Sequence, residues 1–145
     1  MASGTVYDAV KSHLQTNWTA TPLAFENEDK DASGNAVPPN PAVTFVAIEM
    51  TGTMYGQQSI GAETQAANRW DEEGVLWLHV VTPKGQGASE ARHHAKNLAD
   101  LFRGTTLLSG DLEFLDAAIG MGEPADADGN WWRISVSVEW RRMEA

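Results

Sequence analysis

The stretch from Trp131 to Arg142, WWRISVSVEWRR, decides the fold of this chain. Every second residue from Trp132 to Trp140 is apolar, and the residues between them are polar or charged. A β-strand directs successive side chains to opposite faces, so this run predicts a strand with one apolar face and one polar face. Its Val and Ile residues favour a pleated surface, and the two Trp anchor the ends of the apolar face. A strand this regular near the C-terminus is expected to dock into a sheet formed by earlier strands.

Working outward from this strand, hydrophobic periodicity predicts a helix, a short strand, two long strands, a second helix and two more long strands. The predicted helices are 5–16 and 89–103, the short strand is 23–28, and the long strands are 42–50, 69–82, 112–121 and 131–142. Consecutive long strands are expected to pair as antiparallel hairpins. The sequence therefore predicts a single α+β domain over residues 1–145, with two helices packed on one face of a mostly antiparallel sheet.

Local signals add finer expectations. Thr5 and Ser89 are predicted to cap the two helices with their side chains, and Gly104 to end the second. The acidic run 71–73 is expected to be exposed, just before a bulge or bend at Gly74. In the strand 112–121, Leu112, Phe114 and Ala118 are expected to face inward.

Composition excludes several classes of protein. The formal charge of −10 disfavours a general nucleic-acid binder, because an acidic surface repels phosphate. The absence of cysteine excludes disulfide frameworks and thiolate metal sites and fits a reducing cytoplasm. No apolar run approaches about 18 residues, so no membrane-spanning helix is expected. The N-terminus lacks the pattern of a secretory signal.

Two acidic turns resemble the beginning of a calcium-binding loop. In the loop at 28–41, Asp29 and Asp31 have the right spacing, but Asn40 stands where the loop needs a bidentate acid. In the second turn, Asp126 and Asp128 have that spacing, and the corresponding position is Ser137. Both segments are therefore predicted to be turns, and no metal site is predicted.

The segment 51–68 is long, polar and nearly uncharged, with Glu63 as its only charged residue. It is either a plain loop or an arm formed by two strand extensions with a turn near Gly61 and Ala62. A polar arm with few charges suits docking against another subunit, where buried charges are unfavourable. No nucleophile with a neighbouring base, tuned carboxylate pair or phosphate-binding loop is recognisable. No catalytic, cofactor-binding or metal-binding residue is therefore predicted.

Four segments give the chain a resemblance to a known family. They are TVYDAVKSHL (5–14), MYGQQSIGAETQAANRWDEEG (54–74), SEARHHAKNLADLFRG (89–104) and GNWWRISVSVEWRR (129–142). These segments and the order of elements resemble the tail terminator, or tail completion, proteins of long-tailed phages. They are similar in particular to the form found in prophages and gene transfer agents of alphaproteobacteria. The family has no active site to transfer.

The resemblance implies a ring, typically a hexamer, that caps the tail tube, stops its growth and faces the head-side connector. Such a protein would be in the virion, at the head-proximal end of the tail, after assembly in the bacterial cytoplasm. DNA would pass through the ring without specific binding, and no membrane would be involved. The expected contacts with subunits or the tube are Met54, Tyr55, Gln57, Gln58, Ile60, Trp131, Arg141 and Arg142.

Two alternatives share these features. Another head–tail connector protein or the tail tube subunit would have the same size and acidity, and its copy number per particle would distinguish it from a terminator. A small enzyme or ligand-binding domain would need a concave site with perturbed titrating groups.

Overall fold

The last strand docks into the sheet formed by the earlier strands, as predicted, and the structure places it in the interior of that sheet. A computed structural model describes residues 3–31, 33–39, 42–126 and 129–143. In chain order the elements are α1 (Gly4–Asn17), β1 (Leu23–Ala24), β2 (Phe45–Gln57), β3 (Trp70–Pro83), α2 (Ser89–Phe102), β4 (Thr106–Leu107), β5 (Leu112–Pro124) and β6 (Trp131–Met143). The described strands form one sheet in the order β1-β2-β3-β6-β5-β4, so β6 lies between β3 and β5. The predicted α+β class and order of elements are confirmed.

The long strands pair as two antiparallel hairpins, β2–β3 and β5–β6, which join along β3 and β6. The short strand β1 pairs with β2 in parallel. Both helices pack on one face of the sheet. The core there contains Val6, Val10 and Leu14 of α1, Ala91, Ala95, Leu98 and Phe102 of α2, and the apolar face of β6.

Each Trp on the apolar face of β6 covers a glycine in a neighbouring strand. A Cβ on Gly74 of β3 would lie 2.6 Å from the Trp140 ring and 2.0 Å from the Thr51 carbonyl oxygen. A Cβ on Gly122 of β5 would lie 1.7 Å from the Trp132 ring. Aromatic rings that cover glycines in this way fill the gap left by the missing side chain. The irregularity expected at Gly74 instead lies on the opposing strand, where the register of β2 shifts after Gly52.

Two helix-capping predictions are wrong. α1 begins at Gly4 after Ser3, and α2 begins at Ser89 after Ala88, with no side-chain hydrogen bond at either cap. Ser3 uses its hydroxyl elsewhere, to donate to Glu72. Gly104 does follow α2 with a positive φ of 67°, a conformation that glycine adopts without steric cost.

The prediction that Ala118 faces inward is also wrong. Leu112 and Phe114 are buried as expected, but the pairing of β5 with β6 shifts between Phe114 and Ala117. A bulge adds residues to one strand only, so the alternation of faces changes after it. Ala117 therefore packs against the core, and Ala118 is exposed.

The acidic run before Gly74 is not exposed as a whole. Asp71 and Glu72 are each only 1% accessible to solvent. Asp71 lies 3.2 Å from Arg69 Nε, and Glu72 lies 3.0 Å from Arg142 Nη1. No residue near Glu72 in the sequence acts as its partner. The local pattern therefore indicates a solvated acidic segment. Arg142 and Ser3 come from the two ends of the chain.

The acids of the two calcium-like segments act as turn residues. Asp31 Oδ1 accepts hydrogen bonds from the backbone N–H groups of Ser33 and Asn35. Asp126 Oδ1 accepts them from Asn130 and Trp131. Asx turns of this kind explain the residue types without an ion. Asn40 and Asp128, which belong to the same two calcium-like patterns, lie outside the described residues.

Candidate assembly interface

The hairpin of β2 and β3 extends well beyond the hydrophobic core. The last core residue of β2 is Met50, yet β2 continues to Gln57, which pairs with Trp70. We use the term arm for residues 51–68, the predicted segment, which comprises the end of β2 and the connection that leads to β3. Only the residues up to Gln57 extend the strand, and the connection contains one 3-10 turn at Gln65–Ala67.

Hydrogen bonds within the arm and to the adjoining start of β3, together with ring stacking on β3, order the arm. Tyr55 stacks on Trp70 with ring centroids 5.8 Å apart. The Gln57 amide donates to the Ser59 carbonyl at 2.9 Å and accepts from Gln65 at 3.0 Å. Ser59 Oγ in turn accepts from the Arg69 backbone N–H. The arm therefore presents a defined surface although it contributes no core residue.

Apolar side chains face solvent along the arm. Ile60 is 90% exposed, Met54 is 53% exposed and Tyr55 is 41% exposed. Gln58 is also exposed, whereas Gln57 is half-buried with its amide used inside the arm. Exposed apolar residues collected on one element are typical of a contact surface.

The structure does not bring all the predicted contact residues together. Arg141 and Arg142 pair with Glu73 and Glu72 of β3, so they lie at the base of the arm. Trp131 pairs with Pro83 at the opposite end of β6, ten residues or roughly 33 Å away along an extended strand. There the Trp131 ring packs edge-on against Phe45, with centroids 5.3 Å apart.

The two arginines differ in their surroundings. The Arg142 side chain is 23% exposed and reaches Glu72 on the core side of the sheet. The Arg141 side chain is 43% exposed and contacts Glu113 at 2.7 Å on the other face. Of the pair, only Arg141 is positioned to contact another protein without breaking a buried ion pair.

The sheet face away from the helices carries a mixed polar and aromatic surface. His79 stacks on Trp77, its Nδ1 lies 2.6 Å from Ser135 Oγ, and its Nε2 lies 3.5 Å from a Glu49 oxygen. Burial, followed by the charge of Arg133, lowers the pKa of His79, and together they outweigh Glu49. The neutral ring is therefore favoured in the folded chain.

Stability is expected to fall as the pH drops below about 6.5, the ordinary pKa of histidine. The unfolded chain binds a proton at His79 in that range and the folded chain resists it, so the contribution is present above this pH and lost below it. The measurement is thermal unfolding at pH 7.5 and 5.5 for the wild type, His79→Gln and His93→Gln, the last on the exposed side of α2. His79→Gln should lose less stability than the other two, and an equal loss in all three would contradict this account.

The described residues contain no group of three or more His, Asp or Glu side chains placed to hold a metal ion. No helix in residues 3–31, 33–39, 42–126 and 129–143 is long and apolar enough to cross a membrane. A concavity of about 460 Å³ lies between the end of α1 and the loop containing Asp31.

A family model described as "Phage tail terminator protein" matches residues 5–140, from the first turn of α1 to the Trp140 position of β6. The chain belongs to the phage tail terminator family. The resemblance seen in the sequence is thereby confirmed, and this tail terminator is a structural component of a phage-type tail. No curated protein matches its sequence.

Solved structures share the fold of this tail terminator. One, whose title is a serial designation, aligns over 97% of this chain and 94% of its own, with 19% identity and a TM-score of 0.63. A second comes from the virion of a native gene transfer agent particle and aligns over 96% of this chain and 95% of its own, with 19% identity and a TM-score of 0.61. At this level of identity the likeness establishes the fold.

Sequence reasoning missed one exposed surface. Leu115, Ile119 and Met121 of β5 are exposed, Met121 at 85%. The signal available was the run AAIGMG at 117–122, which has no charged residue in an otherwise acidic chain. Periodicity alone predicted a strand with Leu112, Phe114 and Ala118 facing inward and did not indicate an exposed apolar surface.

Proposed function

We propose that this tail terminator forms a ring of six subunits, as is typical of the family, that caps the tail tube and ends its polymerisation. The ring then joins the tail to the head-side connector. The observation that carries the proposal is the family match over residues 5–140, which leaves only short ends of the chain outside it. The role is structural, without a catalytic step or cofactor, and the place is the head-proximal end of the tail, after assembly in the host cytoplasm.

The charge of the chain supports passage of DNA through such a ring. With a formal charge of −10 per subunit, the ring repels the phosphate backbone. DNA would therefore pass through the lumen without specific binding. The same charge makes subunits repel one another, so their contacts are expected on surfaces with few acids. The arm, with Glu63 as its only acid, is such a surface.

The mass of the purified protein in solution tests the proposal. Light scattering at several protein and salt concentrations should reveal a ring-sized species, or a monomer that forms a ring only when tail tubes are added. A monomer that never assembles, even with tubes present, would contradict the ring. Copy number provides the second check, because a terminator is present in one ring per particle, and a tube subunit in many stacked rings.

Ile60→Asp is expected to prevent ring or tail assembly without unfolding the chain. Ile60 is 90% exposed, so its replacement removes no core contact, whereas a buried carboxylate at an interface is strongly unfavourable. The measurements are ring formation by light scattering, tail length by electron microscopy and stability by thermal unfolding. Asn97→Asp, on the exposed side of α2, adds the same charge and should assemble normally. Normal tails with Ile60→Asp would remove the arm tip from the interface.

A further inference from the structure

The outer edge of β2 is open along the arm. Its neighbour β1 covers only Val46 and Ala47. Beyond them, a Glu26 oxygen accepts from the Met50 backbone N–H at 3.3 Å. Among the described strands only β1 lies on this side of β2, and it does not reach residues 51–57. Residues 51–57 thus form roughly 23 Å of extended strand at the margin of the described sheet.

The outer edge of β5, on the other side of the sheet, is open in the same way. Its neighbour β4 pairs only with Leu112 and Glu113, and the following residue, Phe114, bonds to Thr105 and Gly104. From Leu115 to Pro124 no described strand pairs with the outer side of β5. Long open edges favour association with another strand, and proteins ordinarily protect them with charge or cover them.

These two edges carry most of the exposed large apolar side chains. Seven such residues are exposed in the described chain, and six of them belong to the arm or to β5: Met54, Tyr55, Ile60, Leu115, Ile119 and Met121. Charge is missing from the same places. Residues 51–57 and 117–122 contain no Asp, Glu, Lys or Arg, although the chain has 30 charged residues. On a chain of net charge −10, these are the surfaces where a second copy meets the least repulsion.

We infer that the copies of this chain join edge to edge, with the β2 edge of one subunit pairing with the β5 edge of the next. The inference rests on the ring proposed above and specifies its subunit contact. β3 and β6 separate the two edges, so the edges face opposite directions. A contact between two different surfaces of identical subunits is head-to-tail, and a head-to-tail contact closes into a ring when its rotation permits.

The bulges of β5 favour pairing with an incoming strand in a single register. The pairing of β5 with β6 shifts twice, between Phe114 and Ala117 and between Ile119 and Gly122. A flat, regular edge would permit an incoming strand to slide, whereas bulges fix the register. Asp116 and Glu123 lie on either side of the uncharged run and oppose extension of the pairing past it.

Cross-linking through introduced cysteines tests the inference. The chain has no native cysteine, so only the introduced thiols can react. The double variant Thr53→Cys/Ala118→Cys places one thiol on each open edge, at positions that are both exposed. The ring-sized fraction, or purified tails if rings form only there, is treated with a short bismaleimide linker and separated under denaturing conditions. Thr53→Cys and Ala118→Cys alone, and Thr53→Cys/Asn97→Cys with its second thiol on α2, are the controls.

The expected result is a ladder of covalent species up to the ring size from the double-edge variant and from none of the controls. Dimers from Thr53→Cys alone or Ala118→Cys alone would mean that like edges meet, and would overturn the inference. A ring-sized species without the ladder would overturn edge pairing and leave the ring intact. Absence of any ring-sized species, in solution and in tails, would refute the proposed function itself, and this contact with it.

Discussion

Arg142→Met is expected to destabilise the fold by about 3 kcal/mol, because it leaves the Glu72 carboxylate buried without its cation. Glu72 is 1% exposed, and its Oε2 lies 3.0 Å from Arg142 Nη1. Ser3 still donates to Glu72 from its backbone N–H at 2.9 Å and its hydroxyl at 3.0 Å, which places the loss near the lower end of the range for a broken buried pair. Urea denaturation measures the change.

The adjacent arginine provides the control for that experiment. Arg141 belongs to the same strand and also forms an ion pair, but with Glu113, and both side chains are considerably more exposed. Arg141→Met is therefore expected to cost less than about 1 kcal/mol. Equal losses of stability for the two variants would show that the buried ion pair contributes no more to stability than the exposed one. A double variant, Glu72→Leu/Arg142→Met, should recover part of the stability lost, because no buried charge remains.

Gly74→Ala is expected to cost about 3 kcal/mol or more, at or above the upper end of the usual penalty for overpacking. The new methyl carbon would lie 2.0 Å from the Thr51 carbonyl oxygen, which is backbone, and 2.6 Å from the buried Trp140 ring. Neither group moves away without disturbing β2 or the core. Thermal and urea unfolding should both show the loss.

Gly120→Ala is the matched change in the other hairpin. The nearest atom to a Cβ there is the Ser135 carbonyl oxygen at 3.4 Å, so the methyl group fits with a small adjustment. We expect a change of about 1 kcal/mol or less, of either sign. A Gly74→Ala variant as stable as Gly120→Ala would contradict the close approach of β2, β3 and Trp140.

Both large effects concern the base of the arm. Glu72 and Gly74 pair with Arg142 and Trp140 of β6 at the point where the hairpin leaves the core. The segment that exposes Ile60 to partners is thus connected to the fold by a buried ion pair and a covered glycine. Variants that weaken this base would change assembly through stability, whereas Ile60→Asp would act on the surface alone.

The sequence by itself determined the α+β class, the two hairpins and both helices. The helices and strands follow from periodicity within single segments, such as the alternation from Trp132 to Trp140. The spacing of apolar residues in a segment depends on which of its faces is buried, so it can be read without knowing the partner. The hairpins follow from the order of consecutive long strands. The four family-like segments also identified the tail terminator family, which the match over residues 5–140 bears out.

Only the tertiary structure decided what pairs across the chain. Glu72 resembles a solvated acid until Arg142 and Ser3, about 70 residues away on either side, are placed beside it. Because of the bulge after Phe114, Ala117 and not Ala118 lies on the inner face of β5. The Ser3 hydroxyl donates to Glu72 and does not cap α1. The open edges of β2 and β5 depend on strand order, because an edge exists only where no neighbour pairs. Contacts between distant segments leave no periodic signal in either segment.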